Sequence, residues 1–239
     1  MSNAPPLGLR LALAADAGLL PVALPAPGTE LHNRLESSAA GWQVGLEGDA
    51  LWLRRDSGQD MPPRWWCLRA DGVTAGDIQS AEARAAATEA TVGPRLGAAA
   101  WLAAADGHLE TWCADEGAAR RVVVALPAVD GRAALGLLRS AWQASGAPDL
   151  DDLVAAAVAA AHGPAPQVVI DLTEAGTVIG LRVLQPDART SRALFGPHSA
   201  QGQGRERLLA ILGGRAPLAI ELWPEAGGSR TGIWAPVAG

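Results

Sequence analysis

The sequence predicts a mixed α+β fold, a mostly antiparallel sheet with helices packed on one face. Three features carry that expectation. Apolar segments come in close pairs around short turns such as Gly48-Asp49 and Thr173-Glu174-Ala175-Gly176, the spacing of antiparallel hairpins. Between the pairs lie stretches whose small apolar residues recur every three or four positions, which is the helical period. The order strand-strand-strand-helix also occurs twice, which suggests an internal duplication.

The elements follow in chain order. Leu9, Leu11 and Leu13 alternate and meet the turn Ala15-Asp16-Ala17-Gly18 ahead of 20–24, predicting a first hairpin of two short strands. Pro25-Ala26-Pro27-Gly28 ends it, and Thr29 is placed to cap a helix reaching about Ser38. A second hairpin is predicted over 42–47 and 50–55, with Trp42, Val44 and Leu46 on one face answered by Leu51 and Leu53. A third strand follows over 64–70. Ile78, Ala81, Ala85, Thr88 and Val92 then predict a helix over about 75–90.

The order recurs with strands over 98–103, 108–114 and 120–126 and a helix striped by Ala134, Leu135, Leu138, Ala141 and Trp142. Leu150, Leu153, Val154, Ala157, Val158 and Ala161 predict a further helix, stopped by Gly163-Pro164. The hairpin over 167–172 and 177–184 is the clearest, and its first strand reads as central. After a polar loop of about 20 residues over 185–204 come a short helix, 205–212, and strands over 218–223 and 231–237. The expected organisation is an N-terminal half, 1–147, with two strand-strand-strand-helix units, and a C-terminal half, 148–239, packed on it or continuous with it.

Composition excludes several chemistries. The 239 residues include nine Trp, one Phe and no Tyr, and all 19 basic residues are Arg. Without Lys there is no Schiff-base chemistry and no Walker A or kinase phosphate lysine. Without Tyr there is no phenolic acid or base. Codon bias of a GC-rich, bacterial genome accounts for most of this skew. A net charge of −6 argues against a nucleic-acid partner, and no apolar run is long enough for a membrane helix. The N-terminus lacks a signal-peptide pattern, so a cytoplasmic location is expected. Cys67 and Cys113 read as two buried thiols; no metal site and no cofactor is implied.

Carboxylates at 149–152 read as helix-start residues. Asp171 stands among apolar neighbours; an outward side chain is the commoner outcome, and an inward one would need a partner such as Arg182. No nucleophile-base pattern is present, and no catalytic residue is assigned.

The nine Trp are harder to attribute to codon bias alone. Trp52, Trp65, Trp66 and Trp112 fall on neighbouring predicted strands with Arg54 and Arg64 around them. Alternation puts Trp65 and Trp66 on opposite faces. Trp and Arg together make interface hot spots, so Trp52, Arg54, Arg64, Trp65 and Trp66 form a candidate protein-binding face. The element order also resembles that of small secretion-chaperone-like domains. The expected function is therefore a non-enzymatic accessory, adaptor or chaperone-like protein whose partner is another protein.

The alternative is a small-molecule transferase. Gln201-Gly202-Gln203-Gly204-Arg205 ahead of a helix could present backbone N–H groups to a phosphate. With the hairpin before it, this loop resembles the acetyl-CoA loop of GNAT acetyltransferases over about 60 residues. The resemblance implies an acyl-CoA or other phosphate-containing ligand on the loop 196–205, at His198, Gln201, Gly202, Gly204 and Arg205. The sequence departs from that family's pattern at Ser199, in its spacing to Leu208-Leu209, and in having no Tyr.

Overall fold

Gly48, at φ +57°, lets the chain reverse in two residues, so β1 (Trp42–Glu47) and β2 (Ala50–Arg55) pair from Trp42↔Arg55 to Glu47↔Ala50. The same antiparallel step repeats down the chain. It runs through β3 (Arg64–Arg69), β4 (Gly72–Ser80), β5 (Leu109–Ala114) and β6 (Ala119–Ala125). It continues through β7 (Gln167–Thr173), β8 (Gly176–Leu184), β9 (Ala219–Glu225) and β10 (Gly228–Pro236). Finally β10 returns to β1, with Gln43↔Pro236 through Glu47↔Gly232, and the sheet closes. Each strand thus pairs with its neighbours in sequence, and closure leaves no open edge. This computed structural model describes residues 5–20, 22–37, 41–56, 63–80, 109–117, 119–125, 167–173, 176–184, 207–208, 210–212, 218–225 and 228–237.

The expected α+β sheet with helices on one face is therefore replaced by a closed, ten-stranded antiparallel barrel, mostly β, with two short helices, α1 (Leu7–Asp16) and α2 (Glu30–Ser37). Antiparallel pairing itself holds throughout. The barrel takes β1 to β6 from before the 147/148 boundary and β7 to β10 from after it.

Two element assignments change, each for a physical reason. The alternating Leu9, Leu11 and Leu13 belong to α1, and the described residues of 20–24, the expected second strand of that hairpin, form no strand. The residues it buries are Leu7, Arg10, Leu11 and Ala14, at helical spacing, while Leu9 and Leu13 are left 50% and 53% exposed. Leu and Ala are good helix formers and the segment holds no β-branched residue, so propensity favours the helix. The segment beginning at Gly72, expected to turn helical near Ala75, is strand β4. Pairing with β3 on one side and β5 on the other outweighs the helical spacing of its apolar residues. The rest of that expected helix, 81–90, lies outside the described residues. Other assignments stand: the hairpin β1–β2, the strand pair β7–β8, and α2, whose cap is the His32 backbone N–H donating to Thr29 Oγ1 at 3.3 Å. The strand over 98–103, the helices over 130–161 and the loop over 185–204 lie outside the described residues.

Alternation gives every strand two faces, and cross-barrel contacts show which points inward. Trp112 on β5 meets Trp234 on β10 at 5.6 Å between ring centroids, and Arg121 on β6 reaches Glu47 on β1 at 2.8 Å. Strands that are not neighbours in the wall can touch only through the lumen. Ten strands enclose a wider lumen than the eight that ordinary side chains fill. Trp52, Trp65, Trp112, Trp223 and Trp234 fill the extra space, all buried. Gly45 lies flush under Trp234, and Gly180 under Trp223; a Cβ at either would sit within 2.8 Å of a ring carbon.

The outer face of β1, β2, β3 and β10 carries a separate core. Val44, Leu46, Leu51, Leu53, Trp66 and Ile233 are covered by Leu7 and Leu11 of α1, Leu31 and Leu35 of α2, and Leu208 and Leu212. Full burial of a Leu contributes about 1.5–3 kcal/mol. Arg10 ties α1 to the segment carrying Leu208 and Leu212 there, donating from Nη1 to the Leu212 carbonyl at 2.8 Å. No helix among the described residues is long and apolar enough to cross a membrane, which is a statement about helices and not about strands.

Candidate functional site

Charge is concentrated in the lumen. Arg121 is fully buried and gathers three carboxylates. Its Nε donates to Asp171 at 2.6 Å, its Nη2 to Glu47 at 2.8 Å and to Asp171 at 2.9 Å, and its Nη1 to Glu221 at 3.4 Å. The guanidinium also lies over the Trp52 ring at 4.2 Å and the Trp223 ring at 5.1 Å. Two further arginines complete the set, Arg182 on Glu221 and Arg230 on Glu47. Three guanidiniums thus answer three carboxylates, which is what makes burial of so many charges tolerable.

The electrostatics follow. Burial opposes the charge on Arg121, yet Asp171, Glu47 and Glu221 together hold it charged more firmly than an ordinary arginine. Burial pushes the Glu47 carboxyl above its usual value, with Arg121 pulling the other way. Glu221 is equally buried, but Arg182 and Arg121 outweigh the burial and hold it below. Burial raises the Cys67 thiol, and both Cys67 and Cys113 are free and buried, as expected.

The strand ends that lead from β4 to β5, β6 to β7 and β8 to β9 share one rim of the barrel. There a cavity of about 260 Å³ is lined by Gln43, Arg54, Glu110, Trp112, Gln167, Arg182, Leu184, Leu218, Ala219 and Trp234. These are end positions of β1, β2, β5, β7, β8, β9 and β10, together with Leu218 just before β9, all gathered at one rim because successive strands run in opposite directions. Trp112 and Trp234 meet across the lumen beside the cavity. Arg54 grips Glu110 with two bonds, Nη1 to Oε2 at 2.8 Å and Nη2 to Oε1 at 3.0 Å, and donates from Nε to Asp56 at 2.9 Å. The Trp112 indole N–H adds a third donor to Glu110 at 3.3 Å. Burial alone would raise Glu110, but Arg54 brings it below its usual value.

The expected Trp/Arg face is divided by the barrel wall. Trp52, Arg54 and Trp65 point into the lumen, where the Trp65 indole N–H donates to the Cys113 carbonyl at 3.2 Å. Trp66 is buried on the outer side, its ring tilted against that of Trp42 at 5.4 Å and lying under Arg34 and Arg64. Arg64 spans Asp77 at 3.3 Å and Asp115 at 3.0 Å on that outer surface. Trp65 and Trp66 do face opposite ways, as alternation requires, and neither is exposed. His198, Gln201, Gly202, Gly204 and Arg205 lie outside the described residues.

Asp171 points inward, contrary to the commoner expectation, and its partner is Arg121 on β6 rather than Arg182. In the β7–β8 register Arg182 stands opposite Gln167, too far along the strand for Asp171. Sequence reasoning passed over Gln43, Glu47, Glu110, Gln167, Glu221 and Trp234. The available signal was a carboxylate in an apolar strand run, as in Ala219-Ile220-Glu221-Leu222-Trp223, the same signal that singled out Asp171. Among the described residues no group of His, Cys, Asp and Glu is arranged to hold a metal ion. No protein-family model matches the chain, and no curated protein matches it by sequence.

Proposed function

We propose that this chain is a binding protein that takes a small molecule in the mouth of its barrel. The observation carrying this reading is the cavity of about 260 Å³, where indole and aliphatic walls meet a few placed polar groups. That combination, at a β-barrel mouth, is the usual make-up of a small-ligand site, and the volume lies just below the common range of about 300–1,000 Å³. The ligand is accordingly small. Binding rather than catalysis is favoured by the charged pair at the rim. Glu110 is held below and Arg54 above its ordinary value, so neither is poised to move a proton near neutral pH.

The test is titration of small aromatic and aliphatic compounds against the chain, read by tryptophan fluorescence and thermal shift. Leu184→Trp, which places a ring in the cavity, should abolish the response while the circular dichroism spectrum is preserved. A response indifferent to that substitution, or none from any compound, refutes the reading.

A second reading, an accessory protein that binds another protein, is supported by Leu9 and Leu13. They stand four residues apart on one exposed side of α1, the spacing with which an apolar helix face engages a partner. It predicts a partner that copurifies with the native chain and is lost on Leu9→Ser with Leu13→Ser. Retention by that double variant refutes it.

A further inference from the structure

We infer that the mouth recognises a small carboxylic acid with a compact apolar or aromatic body, held at its carboxylate by Arg182. This rests on the reading of the mouth as a ligand site and adds the chemical class of the ligand. The argument is a count of hydrogen-bonding capacity at the rim.

On one side the capacity is spent. Arg54 uses Nε, Nη1 and Nη2 on Asp56 and Glu110, and Glu110 accepts from both arms of Arg54 and from the Trp112 indole. A bidentate pair of this kind is self-contained, and it leaves no acceptor strongly seeking a cationic ligand.

On the other side a donor is left over. Arg182 is more than nine-tenths buried, and its Nε and Nη2 both converge on a single oxygen, Oε1 of Glu221. Its Nη1 finds no acceptor among the described residues. The Trp234 indole N–H, buried on the same wall of the cavity, is directed at the Glu221 carboxylate and helps hold it ionised. The guanidinium lies 5.5 Å over the Trp234 ring, which fixes its orientation. A donor without an acceptor at a cavity wall calls for a ligand that accepts. An anionic acceptor on the unused Nη1 arm gains a charge-assisted bond stronger than a neutral acceptor makes, so an anion is favoured.

The remaining lining sets the body. Leu184, Leu218, Ala219 and the two indoles offer an apolar wall. At roughly 30 Å³ per water the cavity holds about nine waters, so a ligand of about nine or ten heavy atoms fills it. Benzoate has that size and shape and serves as the probe.

The experiment titrates the full chain with benzoate, benzamide and benzylamine by calorimetry, in parallel with Leu184→Trp and Arg182→Lys. Arg182→Lys keeps the charge on Glu221 but loses the planar fork. Benzoate should bind the native chain at least tenfold more tightly than benzamide, with benzylamine weakest. Arg182→Lys should cut benzoate affinity about tenfold or more and leave benzamide within about threefold. The comparison among ligands on the native chain stands even where Arg182→Lys fails to fold. Benzamide or benzylamine binding as tightly as benzoate, and blocked by Leu184→Trp, overturns the carboxylate and leaves the mouth site standing. Binding of none of the three overturns the carboxylate, and binding indifferent to Leu184→Trp overturns the mouth reading itself.

Discussion

Replacing Arg121 by Met tests the lumen network at its centre. The native set holds Arg121, Arg182 and Arg230 against Glu47, Asp171 and Glu221. Without the Arg121 guanidinium, Glu47 keeps Arg230 and Glu221 keeps Arg182, but Asp171 is left with no cation among the described residues. Removing one partner from a fully buried ion pair costs about 3–5 kcal/mol, because the other charge stays buried and uncompensated. Met restores much of the volume, so little of the loss is a cavity. The assay is urea unfolding followed by tryptophan fluorescence. With a slope of about 2–3 kcal/mol/M, the midpoint should fall by about 1–2 M.

Asp171→Asn alone should cost less, since Arg121 keeps Glu47 and Glu221. The double variant should lose less than the sum of the two, with a coupling of about 1–3 kcal/mol. The deficit of Arg121→Met should also depend on pH. Glu47 is already raised by burial in the native chain, and losing Arg121 raises it further. A carboxyl raised on folding favours the native state below its unfolded value and loses that benefit as pH rises through the folded value. The deficit should therefore shrink in acid and be full near neutrality. An Arg121→Met midpoint within about 1 kcal/mol of native, or strict additivity with Asp171→Asn, refutes the reasoning.

Three further outcomes are expected. Gly180→Ala forces a Cβ to within 2.6 Å of the Trp223 ring and should cost about 1–3 kcal/mol by overpacking, with a changed Trp emission; a neutral result denies the close approach. Leu11→Ala, inside the outer core, should cost about 2–5 kcal/mol, whereas Leu13→Ala should stay within about 0.5 kcal/mol; equal losses in the two unfolding curves would contradict α1. Glu110, held below its ordinary 4.5, contributes stability above that value and loses it as pH falls through the lowered folded value. Glu110→Gln should flatten that part of the acid limb in urea midpoints measured against pH, and an unchanged limb would count against the Arg54 pair.

Local pairing was legible wherever a short turn joined two alternating segments. The Gly48 reversal and the β7–β8 hairpin follow from the turn residues and the period of two, and so does the opposition of Trp65 and Trp66. Asp171 was legible as unusual, because a carboxylate among apolar neighbours needs a partner. That partner was not legible. Arg121 is supplied by the adjacent strand β6, and the arm that completes it, Glu47, comes from across the lumen. The grouping of the mouth residues was missed for the same reason. Gln43, Glu110, Gln167 and Arg182 belong to four different strands and become neighbours only at the rim.

By itself the sequence determined that the strands pair antiparallel and that Lys and Tyr chemistry is absent. It also determined that the aromatic volume would come from Trp. Tertiary structure alone decided that the sheet closes, through β10 returning to β1, and which side of each strand became the lumen. Alternation marks two faces but distinguishes inside from outside only when one of them is polar. Here both faces of β2 and β3 are buried, the outer under α1, α2 and Leu208, the inner against the opposite wall. With the usual contrast missing, only long-range contacts could choose. They placed Trp65 in the lumen beside Trp112 and Trp66 under the helices.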